Sequence, residues 1–84
     1  MDLKAVSQLI RDLKTKLPDL RLPDDDERAV ASDIATIEAQ VLSPRPKIEV
    51  IRECLRSIRN IAEGTAGSMV AAGIIEGITR LLGG

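Results

Sequence analysis

The sequence predicts an all-α protein, a small antiparallel helical bundle in one domain spanning residues 1–84, and three observations carry that prediction. Apolar residues recur three and four positions apart in separate stretches, the spacing that lines one face of a helix. Prolines 18, 23, 44 and 46 stand between those stretches and not inside them. After Pro46 the chain runs to Leu82 without another proline.

The first helix is expected over Asp2–Leu17, with Leu3, Val6, Ile10, Leu13 and Leu17 on its apolar face. Pro18 ends it, because proline restricts the residue before it and has no N–H to donate. The connection Pro18–Pro23 carries Leu20 and Leu22, which are expected to tuck against the bundle. The second helix is expected over Asp24–Leu42. Its four leading carboxylates, Asp24 to Glu27, read as an N-cap and an acidic first turn favoured by the helix dipole. A calcium loop would spread its ligands over about twelve residues around a glycine, and no glycine follows here. Val30, Ile34, Ile37 and Val41 form its stripe, with Ala31, Ala35 and Ala39 expected at close approach to a neighbour.

The third helix is expected over Pro46–Leu82, opened by Ser43 or Pro46. Ile48, Ile51, Leu55, Ile58 and Ala62 repeat the stripe of the first two helices. Beyond Ala62 the residues turn small, and stepping the stripe onward by sevens reaches Met69 and then Glu76. The two halves therefore face different partners. A continuous or kinked helix would be about 55 Å long, against about 25 Å for each of the first two. The alternative is a break at Gly64–Gly67 that gives four similar helices. Interior glycines each cost a helix roughly 1 kcal/mol relative to alanine, and close backbone packing is the usual recovery.

Composition excludes most chemistry. The 84 residues contain no histidine, no aromatic residue and one cysteine, Cys54. A chain this short buries only about 60–65% of its unfolded surface, so association with other chains would supplement an aliphatic core. Without histidine there is no activated nucleophile pair, and one cysteine makes no intramolecular disulfide or thiolate metal cluster. No catalytic residue, cofactor-binding residue or metal ligand is assigned, and the chain is read as not an enzyme. Cys54 reads as a small buried hydrophobe. Twelve basic and thirteen acidic residues nearly cancel, so no global field draws the chain to nucleic acid. Arg52, Arg56 and Arg59 form a basic stripe, but Glu49, Glu53 and Glu63 lie three or four residues away and no aromatic side chain offers a stacking platform. The stripe reads as a solvated face, or as a contact with the acidic start of the second helix. The amino-terminal MDLKAVSQLIRDLK alternates charge with apolar residues and is not a signal peptide, so the mature chain is expected to begin here, in a reducing cytosol.

Two features of the carboxyl-terminal third invite other readings. Gly73 and Gly77 form a GxxxG pattern that, with Ala66 and Met69, suits a membrane helix assembling into a pore. Only the twelve residues Gly64 to Ile75 are free of charge there, short of the roughly twenty that span a bilayer. The ending Arg80-Leu81-Leu82-Gly83-Gly84 is like the diglycine tail of ubiquitin-like modifiers, but their β-grasp sheet has no counterpart here, and a fraying helix end accounts for it.

The segment Ile51–Ile74, IRECLRSIRNIAEGTAGSMVAAGI, preceded by EAQVLSPRPK at Glu38–Lys47, resembles the carboxyl-terminal helical module of uncharacterised bacterial proteins found beside effector and NTPase parts of conflict, or anti-phage, systems. The resemblance implies an oligomerisation or effector-coupling module, one version of which perturbs membranes. It carries over no catalytic residue. The expectation is thus a protein-interaction module that forms homo-oligomers, or binds another chain, through the third helix. Gly64, Gly67, Met69, Val70, Ala71, Gly73, Ile74, Gly77 and Ile78 are its candidate contacts. Insertion of that helix into a membrane is the alternative.

Overall fold

The computed structural model describes every residue except Ala66 and Gly84. It is all-helical, with four α-helices and no strand among the described residues. Helix α1 spans Leu3–Lys16. Asp2 caps it, its carboxylate accepting from the backbone N–H groups of Lys4 at 2.9 Å and Ala5 at 3.3 Å. Val6, Ile10 and Leu13 point inward and are buried, as the spacing predicts. Leu17–Leu20 forms a 3-10 turn at Pro18, closed by Arg21 with φ +50°. Leu20 and Leu22 are buried by this turn, and so seal the bundle beyond the end of α1.

Helix α2 spans Asp24–Leu42. Pro23 occupies the cap position with no side-chain hydrogen bond, so the expected acidic cap is not formed. The four carboxylates all lie in the first turn, against the positive end of the helix dipole. Val30, Ile34 and Ile37 are buried, while Val41 is half-buried. Ala31, Ala35 and Ala39 are exposed, contrary to the close approach expected of them. Alanine suits a helix on either face, and these three fall on the side turned away from the neighbours.

Helix α3 spans Ile48–Glu63, opening after Pro46 with Lys47 in the cap position. The α2–α3 turn is held by the Gln40 side-chain carbonyl, which accepts from the Lys47 N–H at 2.8 Å. Ile51, Leu55, Ile58 and Ala62 are buried. Helix α4 spans Met69–Leu81 and buries Ala71, Ile74 and Ile78.

The unbroken helix over 46–82 is therefore corrected to two helices, separated where the glycines stand. The molecule is 37 Å in its longest dimension, against the roughly 55 Å that an unbroken helix would span. The physical reason for the break is phase. Ala62 and Ala71 are nine residues apart, about two and a half helical turns, so in a straight helix the stripes of α3 and α4 would point to opposite sides. A turn resets the phase and folds α4 back on α3. Gly67 supplies the backbone it needs, with φ +78°, which an L side chain rarely adopts. The Thr65 hydroxyl donates to the Ala62 carbonyl at 2.6 Å, and the Ser68 Oγ accepts from the Ala71 N–H at 3.1 Å to start α4. All inner faces meet in one aliphatic core, and no polar residue is buried among those described.

Candidate association surface

Helix α4 is positioned by its core stripe, and that stripe decides which of the expected contact residues are free. Ala71, Ile74 and Ile78 lie inside the chain's own core, so they are corrected from interchain contacts to structural residues. Gly77 makes a close approach, but within the chain: a Cβ there would stand 3.1 Å from Leu9 Cδ1 of α1. Gly64 and Gly67 lie in the turn, the first at the end of α3 and the second in the left-handed conformation. That leaves the outer face. Met69 is 90% exposed, Gly73 one turn later is exposed with nothing within 4 Å of where its Cβ would be, and Val70 is half-buried beside them. Ala72, Glu76 and Arg80 continue this face, the last two joined as an ion pair one turn apart.

The arginine stripe of α3 turns partly toward α4. Arg59 Nη1 donates to the Thr79 hydroxyl at 3.4 Å and Arg59 Nε lies 3.6 Å from Glu63, while Arg52 Nε lies 3.8 Å from Glu49. Glu49 and Glu63 lie on α3 itself and Thr79 on α4, so none of these contacts reaches the acidic start of α2, and Arg52 and Arg59 are half-buried. Arg56 is exposed, without an ion pair among the described residues.

Cys54 sits half-buried between α3 and α2. Burial pushes its thiol above the ordinary value, and the charge and hydrogen bonding of the Asp33 carboxylate add to this, with Glu53 contributing further. A thiol held protonated in this way is a poor nucleophile. No cluster of metal-ligating side chains occurs among the described residues, and no helix among them is long and apolar enough to cross a membrane. Ala66 of the small-residue run and Gly84 of the diglycine ending lie outside the described residues.

A second surface escaped the sequence reading. Between α1 and α2 lies a groove of about 170 Å³ with Ile10 and Ile37 in its floor and Ser7, Arg11, Glu38, Val41 and Leu42 around it. Leu42 is 84% exposed. The signal available in the sequence was that Leu42 follows Val41 directly, and so stands about 100° off the stripe that Val30, Ile34, Ile37 and Val41 define. Across the groove Lys14 of α1 and Glu38 of α2 form an ion pair at 3.1 Å.

No protein-family model matches the chain, and no curated protein or solved structure compared with it does either. What the surface can do therefore follows from its own chemistry, which is apolar contact with flanking charge.

Proposed function

We propose that this chain is a non-enzymatic helical association module of the bacterial cytosol, which assembles copies of itself, or couples itself to another protein chain, through the outer face of α4. The observation that carries this reading is the pair Met69 and Gly73: a large apolar side chain 90% in solvent, one turn from a glycine that nothing in the chain approaches. An exposed mid-helix glycine costs about 1 kcal/mol relative to alanine, and a second helix lying against it is the contact that would recover this. Val70 and Ala72 flank the pair, and the Glu76–Arg80 pair places polar groups at the rim of the same face. The similarity of Glu38–Ile74 to modules beside bacterial effector parts supports a role in assembling or coupling such a system.

The test is the mass in solution by light scattering across a concentration series, with refractive-index detection because the chain has no aromatic chromophore. Wild type is expected to associate. Met69→Lys and Gly73→Leu, both at exposed positions, are expected to shift it to the 9.1 kDa monomer with helicity retained. A wild-type chain that stays monomeric at high micromolar concentration, and captures no other chain, would sink the reading.

A further inference from the structure

The α1–α2 groove carries a second inference, independent of α4. Ser7 and Arg11 line it from α1, and Lys4 and Lys14 extend that same helical stripe by one turn at either end. Glu38, Val41 and Leu42 line it from α2, and Arg45 follows three residues after Leu42. Lys4, Arg11, Lys14 and Arg45 thus stand along and beside the groove against one lining carboxylate, and Glu38 is already paired with Lys14 at 3.1 Å. Lys4, Arg11 and Arg45 are exposed and have no ion pair among the described residues. The acidic residues of α1 do not offset them, since Asp2 caps the helix and Asp12 pairs with Lys16.

From this charge imbalance over an apolar floor we infer that the groove docks an acidic amphipathic helix of another protein. A furrow between two helices is filled by a third, whose apolar anchors recur at i, i+3 or i+4 and i+7. The groove measures about 170 Å³ over Ile10 and Ile37, and a cavity of roughly 150 Å³ holds a benzene-sized group, so one aliphatic anchor fits. Leu42, 84% exposed at its edge, is the apolar surface that the docked helix covers. Carboxylates flanking the anchor accept charge-assisted hydrogen bonds from Arg11, whereas a basic helix is repelled. A second copy of this chain does not supply such a helix from its own acidic run. Asp24 to Glu27 open α2, whose Val30, Ile34 and Ile37 are already buried in the core.

Display selection on the full chain tests this, with random peptides of about 16 residues, long enough for some four helical turns. The enriched peptides are then titrated by calorimetry at low and high salt. They are expected to carry net negative charge with apolar residues at helical spacing, and to bind more weakly as salt rises. Arg11→Glu and Leu42→Ser, both at exposed positions, are each expected to weaken them at least tenfold, with circular dichroism confirming that the chain remains helical. Met69→Lys is expected to leave their binding unchanged. A selection that enriches nothing overturns the proposal, as do peptides without an acidic excess or peptides that bind Arg11→Glu and Leu42→Ser as tightly as wild type. Polyglutamate of the same length binding equally well overturns it too, because charge alone would then account for the contact. Binding lost on Met69→Lys but kept on Leu42→Ser assigns the contact to α4, so the two surfaces stand or fall separately.

Discussion

Leu9 of α1 and Gly77 of α4 lie so close that a Cβ on the glycine would come within 3.1 Å of Leu9 Cδ1. The approach seats the last helix on the first, and it distinguishes this glycine from the two others in its neighbourhood. Gly73 faces open space, and Gly67 holds a positive φ with open space around it.

Three alanine substitutions should therefore give three different answers. Gly73→Ala gains helix propensity with no clash and is expected to stabilise the chain by about 1 kcal/mol. Gly67→Ala forces an L side chain into the left-handed region and is expected to destabilise by about 1–2 kcal/mol. Gly77→Ala sets the same propensity gain against a contact that must yield, but the atom met is the end of a half-buried leucine, so the net change is expected to be small. Urea midpoints at constant m-value would rank them 73, 77, 67.

Ser68 begins α4 by accepting the Ala71 N–H. Ser68→Ala leaves that donor without its partner and is expected to cost about 1 kcal/mol, and Ser68→Asp, which keeps an acceptor, close to none. Thermal unfolding followed at 222 nm reads the difference. Equal losses in both would remove the cap as the cause.

Leu55 is fully buried at the middle of α3. Its replacement by alanine is expected to cost about 2–5 kcal/mol, a large part of the stability of a domain this small. Leu42→Ala, at an exposed position, is expected to change the stability of the monomer by less than about 0.5 kcal/mol. The contrast, measured below the association concentration, separates leucines that hold the fold from one available to a partner.

These expectations rest on the positions at which sequence and structure agree. Val6, Ile10 and Leu13, then Val30, Ile34 and Ile37, then Ile51, Leu55, Ile58 and Ala62 are buried on the stripes that their spacing defines. Spacing is a property of one helix, and burial follows wherever that helix packs on something. The turn between α3 and α4 was also legible. Seven residues beyond Ala62 lies Met69, which is exposed, and the core resumes at Ala71, half a turn out of phase. Read as two faces of one rod, that mismatch suggested two partners, whereas it records a change of direction. The alanines of α2 misled for another reason, since a methyl side chain gives little indication of which face is inward. The α1–α2 groove depends on how far two helices stand apart, which neither helix encodes alone.

Cys54 offers a readout of the α2–α3 contact that needs no substitution of the core. Its folded-state pKa is raised above the ordinary 9.0 by burial and by Asp33, so the protonated thiol is favoured by folding. That contribution is present in full below pH 9.0 and is lost as pH rises through the folded value, because the unfolded chain releases the proton first. Wild type minus Cys54→Ala stability is therefore expected to be flat through neutral pH and to fall on the alkaline side. Native protein should also react with iodoacetamide more slowly than urea-unfolded protein. A difference that stays flat into strong alkali would place the thiol in water.

Because the turn from Gly64 to Ser68 resets the helical phase, the length of chain in it is uncoupled from the direction in which Ala71, Ile74 and Ile78 point. Adding a residue there lengthens a loop, at a closure entropy that grows only logarithmically. The same addition inside α3 would rotate every later side chain of that helix by about 100° and turn its core stripe toward water. Insertions and deletions accumulating over evolutionary time in chains of this kind should therefore collect between Glu63 and Met69 and spare the helix before it.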